Sequence, residues 1–131
     1  MIVLTIAGES SRFFNEGYKE VKYKLRLSNG KSILWNILSY INRDDKIIIV
    51  INQKFDDKGW ISGLLKSLGF SDFDVIEVGE TDGQLTSAVL GVKNSKFYKN
   101  RICQEPIFIF NGDTVRHIPF NYDMSNFDGC I

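Results

Sequence analysis

The sequence is poor in the residues that build metal centres and disulfide frameworks. It has two cysteines and one histidine in 131 residues. Cys103 and Cys130 lie far apart and form no metal-binding motif, and His117 has no cysteine or histidine neighbour. We therefore expect neither a zinc site nor a disulfide-stabilised fold, and we expect reduced thiols in a cytoplasmic protein.

The sequence also has no net excess of positive or negative charge and no long apolar run. Sixteen basic and sixteen acidic side chains cancel, which argues against nucleic-acid binding through overall basic charge. No apolar run approaches the roughly 20 residues that a membrane helix needs, so we expect no membrane insertion. What is present is 44% hydrophobic and 13% aromatic residues. This is the composition of a globular protein, and we expect one domain over residues 1–131.

Four short apolar runs predict β-strands. Three of them are continuously apolar, as parallel strands covered on both faces are, whereas the fourth alternates and is expected nearer a sheet edge. The three continuous runs are 2–6, 46–51 and 106–110, and the alternating run is 73–78.

Apolar residues at helical spacing predict three helices between these strands. The helices are expected at 32–41, 60–68 and about 84–93. In the third, the buried residues are expected to be Leu85, Val89 and Val92. Strands alternating with helices indicate an α/β layered domain with a largely parallel sheet.

Ligands of open parallel sheets bind outside the carboxyl ends of the strands. Three segments of this chain follow predicted strands in that way, and they are 7–24, 79–84 and 111–114. We therefore look for function in these segments.

The first segment combines small residues with cations. Ala7 and Gly8 add almost no side-chain bulk, so a base or a phosphate could approach the backbone there. Arg12 offers a fixed fork of donors for phosphate oxygens, and Lys22 adds a compact positive charge. These groups suit phosphoryl transfer, although the same residues also fit a solvated basic loop. Neither the dinucleotide fingerprint nor the P-loop pattern is present.

The second segment precedes the third predicted helix. Thr81 or Asp82 could cap that helix, and Gly83 could permit a close turn. The amide of Gln84, at the helix start, could read the edge of a nucleobase with both a donor and an acceptor.

The third segment begins with Asn111, Gly112 and Asp113, directly after a buried strand. Asparagine, glycine and aspartate are common in turns, so these residues also fit an ordinary turn. In a phosphate site, the Asp113 carboxylate would instead hold Mg²⁺, which prefers carboxylate, water and phosphate oxygens.

A family resemblance joins these segments. The stretch "LTIAGESSRFFNEGYKEVKYKL" resembles the N-terminal signature of sugar-phosphate nucleotidyltransferases, which is A-G-x-G-[ST]-R-F followed after a gap by a lysine. Gly17-Tyr18 followed by Lys22-Tyr23-x-Leu25 looks like the branch found in bacterial capsule and lipopolysaccharide gene clusters. "NGKSIL", "GETDGQLTSAV" and "NGD" resemble later segments of the family. One departure is Ser10, which replaces the second glycine of the signature.

The resemblance implies a role for each matching residue. It implies that Arg12 and Lys22 are catalytic and that Asp113 is a ligand of a Mg²⁺ cofactor, with Thr114 as a supporting residue. The nucleotide-binding residues that it implies are Ala7, Gly8, Glu9, Ser10, Ser11, Gly83, Gln84, Asn111 and Gly112.

The resemblance also implies a fold and a reaction. The fold is a Rossmann-like three-layer sandwich. The reaction transfers a nucleoside monophosphate from CTP, UTP or dTTP to a sugar phosphate or another small phosphorylated acceptor, such as a phosphocholine-like molecule, for surface polysaccharide synthesis. The two partners are thus a nucleoside triphosphate and a phosphorylated acceptor.

Family members extend well beyond the length of this chain, so we expect an N-terminal part with a sheet that is incomplete at its C-terminal end. An incomplete sheet exposes an edge or an apolar face, and we therefore expect a homo-oligomer. Two other hypotheses are a non-catalytic nucleotide-binding or assembly domain and an unrelated α/β binding domain with ordinary turns.

Overall fold

A four-stranded parallel sheet forms the centre of the chain. The computed structural model describes residues 1–99, 106–112 and 115. The strands are β1 (Ile2–Ile6), β2 (Ile47–Asn52), β3 (Phe73–Val78) and β4 (Phe108–Asn111). Their order is β3-β2-β1-β4, and every pair is parallel. The four predicted strands are confirmed to within two residues, and the alternating strand β3 lies at an edge of this sheet, as predicted. The prediction that the run 106–110 is covered on both faces is wrong for the described residues, because β4 lies at the other edge of the described sheet and Ile107 and Ile109 are exposed.

The helices are α1 (Ser11–Asn15), α2 (Ile33–Ser39), α3 (Lys58–Ser67), α4 (Gln84–Asn94) and α5 (Lys96–Lys99). Of these, α2, α3 and α4 were predicted. The Ser32 hydroxyl caps α2 by accepting a hydrogen bond from the Trp35 N–H at 3.1 Å. Gly69 follows the end of α3 with φ +87°, a conformation that glycine adopts without strain. Across residues 1–99, 106–112 and 115, no helix is both long and apolar enough to cross a membrane.

Helices cover both faces of the sheet. On one face, β1 residues such as Leu4 pack with Leu34 and Leu38 of α2 and with Leu65 of α3 in one buried cluster. On the other face, the second cluster joins strand residues to Ala88 of α4 and Phe97 of α5, and its strand members are Val3, Ile48, Val50 and Val78. This is the predicted three-layer α/β sandwich. Because all residues of β1 and β2 are buried, these strands read as continuous apolar runs.

The prediction for the buried face of α4 is wrong for two of its three residues, whereas Val92 is partly buried and packs against the second cluster. Leu85 is 68% exposed and Val89 is also exposed, whereas the buried residues of α4 are Ser87, Ala88 and Gly91. The reason is close approach: a Cβ atom on Gly91 would lie 2.2 Å from Cγ2 of Val50 in β2. The helix therefore packs its small residues against the sheet.

Candidate functional site

The candidate site lies where the strand order changes direction. The chain passes from β1 to β2 and β3 on one side, and β4 then pairs with β1 on the other side. In open α/β sheets this switch point opens a crevice outside the carboxyl ends of the two adjacent strands, here β1 and β4. The segments that leave β1 and β4 at this point are 7–24 and the turn at Gly112.

A first cavity of about 390 Å³ opens there. Its charged lining residues are Arg12 and Lys22, and both are cations. The other lining residues are Thr5, Ile6, Gly8, Ser10, Ser11, Phe13, Tyr23, Asn111 and Gly112. Among the described residues, the lining of this cavity holds two cations and no carboxylate, which suits a polyanion such as a polyphosphate.

A second cavity of about 680 Å³ adjoins the first. The two cavities share Thr5, Gly8 and Asn111. The remaining lining residues of the second are Ala7, Glu9, Asn52, Glu80, Thr81, Asp82, Gly83, Gln84 and Ser87. The charged residues described in its lining, Glu9, Glu80 and Asp82, are all acidic, so the described linings of the two cavities carry charges of opposite sign.

Every site residue predicted from the sequence that the structure describes lies in one of these cavities. Arg12, Lys22, Ser10, Ser11 and Gly112 line the first cavity. The second cavity contains Ala7, Glu9, Gly83 and Gln84, and Gly8 and Asn111 belong to both.

The predicted metal ligand Asp113 and its neighbour Thr114 lie outside the described residues. Within the described part of the chain, no group of three or more His, Cys, Asp and Glu side chains could hold a metal ion.

Ser10 has a conformation that is unusual for serine. Its φ of 55° and ψ of 21° are left-handed, a region that favours glycine. The position thus has the geometry for which glycine is suited, and serine adopts it at a cost. In return, the Ser10 Oγ accepts a hydrogen bond from the Lys22 N–H at 3.2 Å. The serine side chain therefore links the start of α1 to the candidate catalytic lysine.

Two substitutions separate the strain at Ser10 from its hydrogen bond. Ser10→Ala and Ser10→Gly both remove the hydroxyl, but only glycine relieves the left-handed strain. We expect Ser10→Gly to be more stable than Ser10→Ala by about 1 kcal/mol. Urea denaturation of the two variants measures this difference, and equal stabilities would show that the position is unstrained.

Lys22 begins a 3₁₀ turn, Lys22–Lys24, that is anchored to a buried carboxylate. The Lys22 Nζ lies 5.4 Å from the centre of the Phe13 ring, within range of a cation–π contact. The hydroxyl of the next residue, Tyr23, donates to Oδ2 of Asp57 at 2.5 Å, and the Lys24 ammonium pairs with Oδ1 of the same carboxylate.

Burial raises the pKa of the Tyr23 phenol well above its ordinary value of 10.0, and the hydrogen bond to Asp57 and the charge of that carboxylate raise the pKa further. Below about pH 10 the phenol is protonated in both the folded and the unfolded chain. Above that pH the unfolded chain loses this proton and the folded chain keeps it. Stability should therefore fall as the pH rises, by up to about 1.4 kcal/mol per pH unit from this group.

The variant Tyr23→Phe isolates this contribution. Its free energy of unfolding should depend less steeply on pH between about pH 10 and about pH 11 than that of the wild type. Denaturant titrations at a series of pH values measure both slopes. Equal slopes would show that the Tyr23 phenol titrates normally in the folded chain.

The turn after β4 packs tightly against β1. The Gly112 N–H donates to the Thr5 carbonyl at 3.1 Å, and Gly112 is buried. A Cβ atom at Gly112 would lie 1.9 Å from Cγ2 of Ile6 and 3.2 Å from the Thr5 oxygen. Only glycine fits here, and this close packing fixes Asn111 beside the β1 loop.

The segment before α4 shapes the second cavity. Gly83 is the N-cap of α4, with φ 152°, and no side chain in the described part of the chain caps the helix. The prediction that Thr81 or Asp82 caps this helix is therefore wrong. Thr81 instead hydrogen-bonds the buried Ser87 hydroxyl at 2.6 Å. The φ of Gly83 is one that other residues rarely adopt, so the position favours glycine.

Sequence reasoning missed two residues that support the first loop. Asn52 is buried at the end of β2, and its Nδ2 donates to the Ala7 carbonyl at 3.2 Å. A polar residue at the carboxyl end of a parallel strand was a usable signal for Asn52. No comparable signal pointed to Asp57, because its contact with Tyr23 joins residues 34 positions apart.

Comparison with known proteins gives matches among solved structures only. No protein-family model matches the chain, and no curated protein matches it at a significant level. Among solved structures, the chain is similar to the nucleoside-diphosphate-sugar pyrophosphorylase from Vibrio cholerae RC9, with 28% identity and a TM-score of 0.79. The match covers 95% of this chain and 52% of that protein, so this chain spans about half of its length. The similarity supports the family indicated by the motifs and a nucleotidyltransferase kind of function.

Proposed function

We propose that the chain is the nucleotide-binding part of a nucleotidyltransferase that transfers a nucleoside monophosphate from CTP, UTP or dTTP to a small phosphorylated acceptor. The observation that carries this proposal is the pair of adjoining cavities at the switch point of the sheet. The triphosphate would lie in the first cavity, beside Arg12 and Lys22. The base would lie in the second cavity, near Gly83 and Gln84.

The reaction needs positioning and charge neutralisation more than covalent chemistry. A phosphate oxygen of the acceptor attacks the α-phosphorus in line. The bond from that phosphorus to the bridging oxygen breaks, and pyrophosphate leaves with the electron pair. In this proposal Arg12 neutralises the departing pyrophosphate, and Lys22 bridges the α-phosphate and the acceptor phosphate.

The proposed cofactor is Mg²⁺, and Asp113 is its candidate ligand. The donors at the end of β4 are the Asn111 amide oxygen and, in the sequence, the Asp113 carboxylate. This all-oxygen set fits Mg²⁺, a hard cation that binds few protein groups and completes its shell with water and substrate phosphates. When bound, the ion would neutralise charge on the phosphates.

The finer assignments are part of the same proposal. The acceptor is a sugar phosphate, and the product serves bacterial surface polysaccharide synthesis in the cytoplasm; the motif Gly17-Tyr18 with Lys22-Tyr23 supports this branch. Self-association is proposed because Ile107 and Ile109 are exposed on the β4 side of the described sheet, where an apolar surface favours a partner.

Two measurements test the proposed function. Calorimetric titration of the chain with CTP, UTP and dTTP in the presence of Mg²⁺ measures binding. Release of pyrophosphate is then assayed with each triphosphate and a panel of sugar phosphates and phosphocholine. We expect saturable binding of one triphosphate and pyrophosphate release with at least one acceptor. Binding without release would instead identify a non-catalytic nucleotide-binding domain, and the absence of both would refute the proposal.

A further inference from the structure

Asp57 is a buried carboxylate that lines neither cavity. It is 5% exposed and lies directly before α3. Burying a carboxylate is costly unless donors and a positive charge compensate it. Here the Tyr23 hydroxyl donates to one carboxylate oxygen at 2.5 Å, and the Lys24 ammonium pairs with the other. Both partners come from the 3₁₀ turn that begins at Lys22.

This carboxylate is itself firmly held. The Asp57 carbonyl accepts the Ile61 N–H at 3.0 Å, and the Ile61 side chain is fully buried in the core between the sheet and α3. Asp57 therefore connects the Lys22–Lys24 turn to a helix that packs on the sheet. On its other side, the turn is held by the bond from the Lys22 N–H to the Ser10 Oγ.

We propose that Asp57 is a positioning residue for Lys22, which fixes the lysine in the first cavity through Tyr23 and Lys24. The proposal rests on the proposed function for the catalytic role of Lys22. Its physical basis is the two contacts of the carboxylate with the residues that follow Lys22. Without the carboxylate, the turn keeps its bond to Ser10 and the contacts of Tyr23 and Lys24 with the Trp60 ring of α3, but it loses its hydrogen bond and its ion pair to Asp57. The Lys22 ammonium would then occupy less often the position in the first cavity from which it contacts a phosphate.

The chain offers a matched control in the preceding residue. Asp56 is exposed and has a left-handed φ of 50°. Asparagine tolerates that conformation, so Asp56→Asn removes the same charge as Asp57→Asn without touching Tyr23 or Lys24. A third variant, Tyr23→Phe, removes one of the two contacts and keeps the ion pair.

The first test needs no ligand and no activity. Hydrogen exchange of the full chain is followed at the Lys22 amide, whose N–H bonds Ser10. Asp57→Asn should speed exchange there about tenfold or more, Tyr23→Phe should have a smaller effect, and Asp56→Asn should have none. Unchanged exchange at Lys22 in Asp57→Asn would overturn the proposal, whether or not the chain binds nucleotide.

The second test asks whether Asp57 acts through Lys22. The rate of pyrophosphate release is measured for Asp57→Asn, for Lys22→Ala and for the double variant. Asp57→Asn should lower kcat about tenfold with little change in the KM for the triphosphate, and should cause no further loss when Lys22 is already alanine. Equal losses in both backgrounds would contradict positioning through Lys22. A wild type without triphosphate binding or turnover would refute the proposed function, while the exchange experiment would still decide the role of Asp57.

Discussion

Arg12→Ala is expected to lower the rate of pyrophosphate release by about 10²–10³-fold, the cost of removing one preorganised group that stabilises charge in a transition state. Arg12 lies in α1 at the switch point, and with Lys22 it supplies the charged lining of the first cavity. In the proposed reaction, the departing pyrophosphate gains negative charge as the bond to the α-phosphorus breaks. Removing the guanidinium therefore costs more in the transition state than in the bound triphosphate.

The effect on stability should be small, since Arg12 is exposed. Surface substitutions of this kind change the free energy of unfolding by about 0.5 kcal/mol or less. Arg12→Lys should recover part of the rate, because lysine restores the charge but not the planar fork that binds two phosphate oxygens.

The control variant is Lys66→Ala, which removes an exposed cation from α3. It should leave the rate of pyrophosphate release unchanged. If Arg12→Ala released pyrophosphate as fast as the wild type did, then Arg12 would be an ordinary solvated residue and its catalytic assignment would be wrong.

Gly112→Ala is expected to destabilise the fold by about 3 kcal/mol. The added methyl group would meet Cγ2 of Ile6 at 1.9 Å and the Thr5 carbonyl oxygen at 3.2 Å, and both groups belong to β1, a buried central strand. A backbone atom of a central strand has little freedom to move, so β4 would have to shift. Because Asn111 lines both cavities, triphosphate binding should weaken as well.

Gly63→Ala provides the contrasting substitution. Gly63 is exposed inside α3, and a Cβ atom there would meet nothing within 4 Å. Alanine should therefore stabilise the chain by up to about 1 kcal/mol, the usual difference in helix propensity. Urea denaturation compares both variants with the wild type. A Gly112→Ala variant as stable as the wild type would show that the close contact between the β4 turn and β1 does not exist.

The sheet was predictable because burial on both faces leaves a direct trace in the sequence. Strands β1 and β2 are apolar except for Thr5 and Asn52, and a nearly continuous apolar run is typical of a central parallel strand. The face of α4 was not predictable from the same rule. Apolar spacing favoured Leu85 and Val89, but the short distance between α4 and β2 admits only the small face with Gly91.

The residues of the site likewise include some that the sequence predicted and some that it did not. Arg12 and Lys22 were identified because a signature with a fixed order of residues marks the first loop. Asn52 and Asp57 support that loop from a different part of the chain, and their contacts exist only after folding brings the segments together. The sequence marked Ser10 as a replacement for a glycine of the signature, but its left-handed conformation is visible only in the folded chain, because backbone angles depend on the fold.

The central claim is that segments from three strand ends surround one nucleoside triphosphate, and chemical-shift mapping tests it most directly. A ¹⁵N-labelled chain is titrated with CTP, UTP and dTTP in the presence of Mg²⁺. The account predicts that one triphosphate shifts amide signals in all three segments together, at Gly8 to Arg12 with Lys22, at Gly83 and Gln84, and at Asn111 and Gly112. Signals that stay unchanged with every triphosphate, or that shift in only one of the three segments, would contradict it.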